Sequence, residues 1–141
     1  MSLIHLIYVS SLNVTAVDAT VNAILASSYR NNLQHQITGM LLLSEGNFLQ
    51  ILEGEEAAVL ATFARIQQDQ RHKAIYELLR APIVERDFDN WQMGFKALTA
   101  ADLQQFSASD AAFFVGFNHQ NLKAKPGIAL DLLLHFSQTN R

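Results

Sequence analysis

Residues 37–54 read ITGMLLLSEGNFLQILEG, and their reading decides the fold. Two apolar runs, Ile37 to Ser44 and Asn47 to Glu53, flank the pair Glu45-Gly46. Glycine reaches positive φ without steric cost, so a tight turn at this pair joins the runs as an antiparallel hairpin. Inside the second run, Gln50 stands among Phe48, Leu49, Ile51 and Leu52. The two-residue period of a strand puts it on one face with Phe48 and Leu52. A carboxamide in such a place must find hydrogen-bond partners.

Upstream, Leu3 to Ser10 is nearly all apolar and suits a strand covered on both faces, with Ile4, Leu6 and Tyr8 on one side. Thr15 to Asp18 resembles a capping box, and Val17, Val21, Ile24, Leu25 and Ser28 follow at helical spacing. Asn31-Asn32 reads as the end of that helix, because asparagine tolerates the left-handed conformation. Downstream, Gly54, Glu55 and Glu56 open a second helix whose stripe is Val59, Phe63 and Ile66, running to about Asp69. Asp69 to His72 reads as a polar loop. Ala74 to Val84 and Phe88 to Phe95 read as two more strands, the second with Trp91, Met93 and Phe95 on one face.

The order β-α-β-β-α-β-β predicts an α+β, ferredoxin-like architecture, with two helices on one face of a mainly antiparallel sheet. A helical extension follows, which divides the chain into residues 1–96 and 97–141 within one compact unit. Thr99 to Asp102 is another capping-box-like start. Pro126, then Ile128, Leu130, Leu133, Leu134 and Phe136, predict a last amphipathic helix with proline in its first turn. Phe113, Phe114, Leu130, Leu133 and Leu134 are expected to cap the sheet's free face or to form a contact between copies of the chain.

Composition narrows the function. A chain of 141 residues, half of them apolar, suits one domain with a substantial core. A formal charge of -3 gives no general electrostatic reason to bind nucleic acid or an anionic membrane. The chain has no cysteine, which excludes disulfides, thiolate metal sites and cysteine nucleophiles. The histidines, His5, His35, His72, His119 and His135, show no i,i+3 or i,i+4 pair, so no metal is assigned. Neither a phosphate-binding glycine loop nor a G-x-S-x-G elbow occurs. The N-terminus has no basic segment and too short an apolar run for a signal peptide or a membrane span, and a cytoplasmic location is expected.

If the first and third strands are both central, Tyr8 and Gln50 meet beneath the helices. A phenol and an amide satisfy each other and leave capacity for a third group. By spacing alone the plainer readings are favoured: Gln50 bonding a backbone carbonyl, Tyr8 reaching water, Asn31-Asn32 capping a helix. Arg65 is then a solvated residue paired with Asp69 at i,i+4, and Trp91 and Met93 are core. The sharper reading notes that adjacent carboxamides suit the imide edge of a planar heterocycle, which alternates acceptors with an N–H donor. Arg65 would then anchor the polar tail of such a ligand.

Several ordered motifs favour the sharper reading. IYVS with Tyr8, RNN at Arg30 to Asn32, ITGMLL, FLQILEG with Gln50, ARIQQDQRH from Ala64 to His72, and NWQMGF together resemble the BLUF family, blue-light sensors that use FAD, over roughly residues 3–96. The resemblance implies FAD between the two helices with its ring system pointing at the sheet. Asn31 and Asn32 would hold the imide edge, Ile24, Phe48 and Ile66 would pack on the rings, and Arg65, Asp69 and His72 would lie near the ribityl chain or phosphates. Tyr8 and Gln50 would be the photoactive pair, and Trp91 and Met93 would pass the change to the C-terminal helices. The implied type is a short, stand-alone sensor without an output enzyme domain, acting on a separate signalling protein. Absence of cysteine agrees, since a LOV-type sensor needs a thiol. The rival is a small ferredoxin-like enzyme, such as an acyl-phosphate hydrolase holding an anion with Arg and Asn, although no glycine-rich anion loop precedes the first helix. A ligand-free interaction module is the third reading.

Overall fold

The hairpin forms where the sequence places it. Strands β2 (Thr38–Ser44) and β3 (Asn47–Glu55) pair antiparallel, with Ser44 opposite Asn47 and Gly46 at φ 80° in the turn. The structure is a computed structural model that describes residues 2–12, 17–44, 46–89, 93–98, 122–123 and 126–139. Around the hairpin lie β1 (Leu3–Leu12), α1 (Val17–His35), α2 (Glu56–Gln68), β4 (His72–Pro82), β5 (Gly94–Ala97) and α3 (Pro126–Thr139).

The strands form one sheet in the order β4-β1-β3-β2-β5, antiparallel throughout except for the parallel β2–β5 pair. This is the ferredoxin-like arrangement with one strand added at the edge. Strands β1 and β3 are central neighbours, and their register sets Tyr8 directly opposite Gln50. Close approach of β2 to β3 requires glycine at 39, because a Cβ there would overlap the carbonyl oxygen of Ile51.

Alternation then sorts the core. On one face, Ile4, Leu6, Tyr8 and Leu52 pack with Val59 and Phe63 of α2, while Leu41, Leu43 and Phe48 pack with Val21 and Ile24 of α1. On the other, Ile7, Val9, Met40, Leu42, Leu49 and Ile51 pack with Ala129, Leu132, Leu133 and Phe136 of α3, with Leu130 and Leu134 partly buried beside them. Burying each large apolar side chain contributes roughly 1.5–3 kcal/mol. Of the two expectations for the extension, capping of the free face is the one observed. Phe113, Phe114 and the Thr99 to Asp102 start lie outside the described residues, as do Thr15 and Trp91.

Several boundaries differ from the sequence reading. Helix α1 does not stop at Asn31-Asn32 but runs to His35. The left-handed residue that closes it is Gln36, at φ 56°, and the Ile37 amide donates to the Asn32 carbonyl at 2.8 Å. Gly54 and Glu55 complete β3 rather than opening α2. His72 begins β4 and is buried, not part of a polar loop. The fifth strand starts at Gly94, not Phe88. The physical reason is local: the amides of Asp87 and Phe88 donate to the Glu53 carboxylate, at 2.7 and 3.0 Å, instead of to a strand ladder.

Candidate functional site

Two helix faces with the same spacing enclose a cleft. On α1 the stripe that lines it is Ile24, Ser27, Ser28 and Asn31, with Asn32 beside it, and on α2 it is Thr62, Arg65 and Ile66, with Asp69 just beyond its end. Both sets recur at i, i+3, i+4 and i+7, the stripe that points one way from a helix. The sheet supplies the floor through Tyr8, Gln50 and Leu52, and Arg71 and His72 close one end. Counted out to its open mouth, the space is about 550 Å³.

At the floor, the Tyr8 hydroxyl donates to Gln50 Oε1, and Gln50 Nε2 donates to the Met93 sulfur at 3.3 Å. The phenol is fully buried and the amide nearly so. Burial pushes the Tyr8 hydroxyl far above the ordinary tyrosine range, with the Asp69 charge adding to the effect, so the phenol keeps its proton. The Phe63 ring packs against it at 5.3 Å between centroids. Gln50 thus joins a strong partner to a weak one, since a thioether accepts hydrogen bonds poorly.

The carboxamides Asn31 and Asn32 are both buried on the last turns of α1. Asn31 Nδ2 donates to Thr62 Oγ1 at 3.1 Å and lies 3.4 Å from Asn32 Oδ1, while Arg65 reaches across the cleft to donate to Asn31 Oδ1. The i,i+4 pairing of Arg65 with Asp69 therefore does not form. Asp69 is taken by Arg71, whose Nε and Nη2 grip both carboxylate oxygens at 2.6 to 3.0 Å and whose Nη2 also reaches Ser27 Oγ at 3.2 Å. Arg71 holds the Asp69 carboxyl below the usual carboxylate range. His72 Nδ1 shares a hydrogen bond with Ser10 Oγ at 3.0 Å, its ring stands 5.3 Å from that of Phe48, and burial lowers its pKa.

The structure therefore brings Tyr8, Ile24, Asn31, Asn32, Gln50, Arg65, Ile66, Asp69 and His72 to one cleft, with Met93 in contact through Gln50. Phe48 does not line it, lying in the core layer with Ile24. Sequence reasoning missed Ser27, Ser28, Leu52, Thr62 and Arg71 as lining residues. The repeated i, i+3, i+4, i+7 spacing was the signal for Ser27, Ser28 and Thr62, and the shared strand face with Gln50 was the signal for Leu52; Arg71 had none. The donor set fits a flavin. Neutral, buried carboxamides answer an imide edge without adding charge, Ile24, Ile66 and Leu52 offer apolar contact, and the guanidinium groups of Arg65 and Arg71 are of the type that suits phosphate oxygens.

Residues 3–94 match the family model described as sensors of blue light using FAD. This protein belongs to the BLUF family. BLUF domains bind a flavin. The chain is 38% identical over 85 residues to the photoactivated adenylate cyclase subunit beta of Euglena gracilis, covering 60% of this chain and 10% of that protein. It is 36% identical over 74 residues to the blue light- and temperature-regulated antirepressor BluF of Escherichia coli, covering 52% of this chain and 18% of that protein. The chain thus spans about a tenth of the cyclase relatives it matches. Among solved structures, BlsA in its photo-activated state superposes with a TM-score of 0.76 at 30% identity, covering 94% of each chain. The comparisons give the small-enzyme reading no support.

Proposed function

We propose that this BLUF chain is a blue-light photoreceptor that holds FAD non-covalently in the α1–α2 cleft and signals by rearranging the Tyr8–Gln50–Met93 contacts. Asn31 and Asn32 bind the imide edge, Ile24, Ile66 and Phe48 shape the apolar surroundings, and Arg65, Asp69 and His72 lie toward the ribityl chain and phosphates. The flavin-binding unit is residues 1–96 and residues 97–141 are its extension, of which α3 packs on the sheet. The signal goes to a separate downstream protein in the cytoplasm. The observation that carries this reading is the buried phenol–amide–sulfur chain at the cleft floor.

A bound flavin supplies blue absorption and, once excited, an acceptor for one electron. Tyr8 is the donor, and its hydroxyl proton has a ready path to Gln50 Oε1 along the existing hydrogen bond. Return of both the electron and the proton to Tyr8 would restore the phenol and leave the carboxamide reversed, by rotation or by a proton shift from Nε2 to Oε1. Rotation turns the carbonyl toward the Met93 sulfur, which cannot donate, and turns the NH₂ toward the Tyr8 hydroxyl, which must then accept. The Met93 contact is lost, so the change at Gln50 becomes a push on the residue next to β5. A single hydrogen bond is worth about 0.5–1.5 kcal/mol net, enough for a modest population shift that reverses in the dark.

Purified protein tests this directly. It is expected to be yellow, to shift its absorption reversibly to the red under blue light, and to release FAD rather than FMN on denaturation. A colourless protein that binds neither nucleotide, or a yellow one without a light-induced shift, contradicts the proposal.

A further inference from the structure

Glu53 lies three residues beyond Gln50 on β3, on the opposite face of the sheet, and is fully buried. Its Oε2 accepts from the Asp87 amide at 2.7 Å, and its Oε1 accepts from the Phe88 amide at 3.0 Å and from Thr38 Oγ1 at 2.9 Å. Only an acceptor-only group meets three converging donors. Arg86 completes the arrangement: its Nη1 donates to Thr38 Oγ1 and to the Glu53 carbonyl, each at 3.0 Å, and its Nη2 donates to the Gln36 carbonyl at 2.8 Å. Three successive residues, 86–88, are thus tied to β2, β3 and the end of α1. The Phe88 ring is buried in the core beneath α3.

Five residues later the same connection meets β3 again, where Met93 accepts from Gln50. The segment entering β5 therefore has one end in a rigid, charge-assisted clamp and the other on the weak sulfur contact. We propose that Glu53 is a positioning residue for the light response: it fixes residues 86–88 so that reversal of Gln50 displaces Met93 against an immobile anchor instead of being absorbed as slack. The inference rests on the photoreceptor reading above.

Glu53→Gln in the full chain tests it, because the amide replaces one of the two acceptor oxygens by a donor while keeping the shape. Wild-type Asp87 and Phe88 amides are expected to be protected from hydrogen exchange, and one of them to exchange roughly tenfold faster or more in the variant. The dark absorption spectrum stays unchanged, since the substitution lies on the far face, while the dark-recovery rate changes at least about threefold. In a Met93→Leu background that recovery effect disappears, because Glu53 acts through Met93. Thr38→Val, which removes one donor to the same carboxylate, gives a smaller change of the same sign and decides the matter should Glu53→Gln fail to fold. Recovery unaltered despite faster amide exchange, or effects of Glu53 and Met93 that simply multiply, overturns the inference. A wild type with no light-induced shift overturns the photoreceptor reading and the inference with it, and is distinguished by needing no variant.

Discussion

Gln50 and Glu53 are neighbours on one strand and opposites in construction. Both are buried polar side chains on β3, one facing the α1–α2 cleft and the other facing away from it. Gln50 is neutral, has a phenol on one side and a sulfur on the other, and can be reversed at the expense of one weak bond. Glu53 accepts three hydrogen bonds from two backbone amides and a hydroxyl, and reversing a carboxylate changes nothing because its oxygens are equivalent. A polar group serves as a switch when its two ends differ and one partner is weak. It serves as an anchor when its ends are alike and every partner is strong.

The frame shared by both comes first in size. Gly39→Ala puts a methyl into the Ile51 carbonyl and separates β2 from β3, so the expected result is failure to recover folded protein, read by circular dichroism and yield. Next, Glu53→Leu orphans the Asp87 and Phe88 amides and costs about 3–4 kcal/mol in denaturant unfolding. Gln50→Leu costs about 1 kcal/mol in the same measurement, because the Tyr8 hydroxyl loses its partner and the Met93 sulfur loses only a weak one. Equal costs for the two would erase the contrast between anchor and switch.

Acid tests the same contrast more gently. Burial lowers the pKa of both His5 and His72 from the usual 6.5. The unfolded chain therefore binds these protons first, so the stability they confer is complete above 6.5 and is lost as pH falls toward the folded values. Each contributes at most about 1.4 kcal/mol per pH unit. Glu53 works in the other direction: burial raises its carboxyl pKa, so its contribution favours the folded state at low pH and is lost as pH rises through the folded value. Melting curves between about pH 5 and 7 should therefore fall on acidification, with a shallower slope in His72→Gln than in wild type. An identical slope in the variant would show that His72 titrates alike in both states.

The hairpin, the alternation of β1 and β3 and the meeting of Tyr8 with Gln50 were legible because a two-residue period fixes which side chains share a face once the register is known. Asn31-Asn32 misled as a helix end for an equally physical reason. A left-handed cap and a buried amide pair use the same residue type, and only the tertiary partner Thr62 tells them apart. Arg65 and Arg71 compete for one carboxylate, and a local i,i+4 rule could not anticipate that the two-pronged grip from Arg71 wins. Glu53 marks only the end of an apolar run in the sequence, and the amides that meet its carboxylate lie 34 and 35 residues further on. Contacts made across that distance leave no periodic trace.

In the proposed light response the amide of Gln50 is the moving part. The light-minus-dark absorption spectrum of Gln50→Leu, recorded on protein with its flavin bound and compared with wild type, tests it most directly. The expected result is a yellow protein whose spectrum does not shift under blue light. A full red shift in that variant would contradict it.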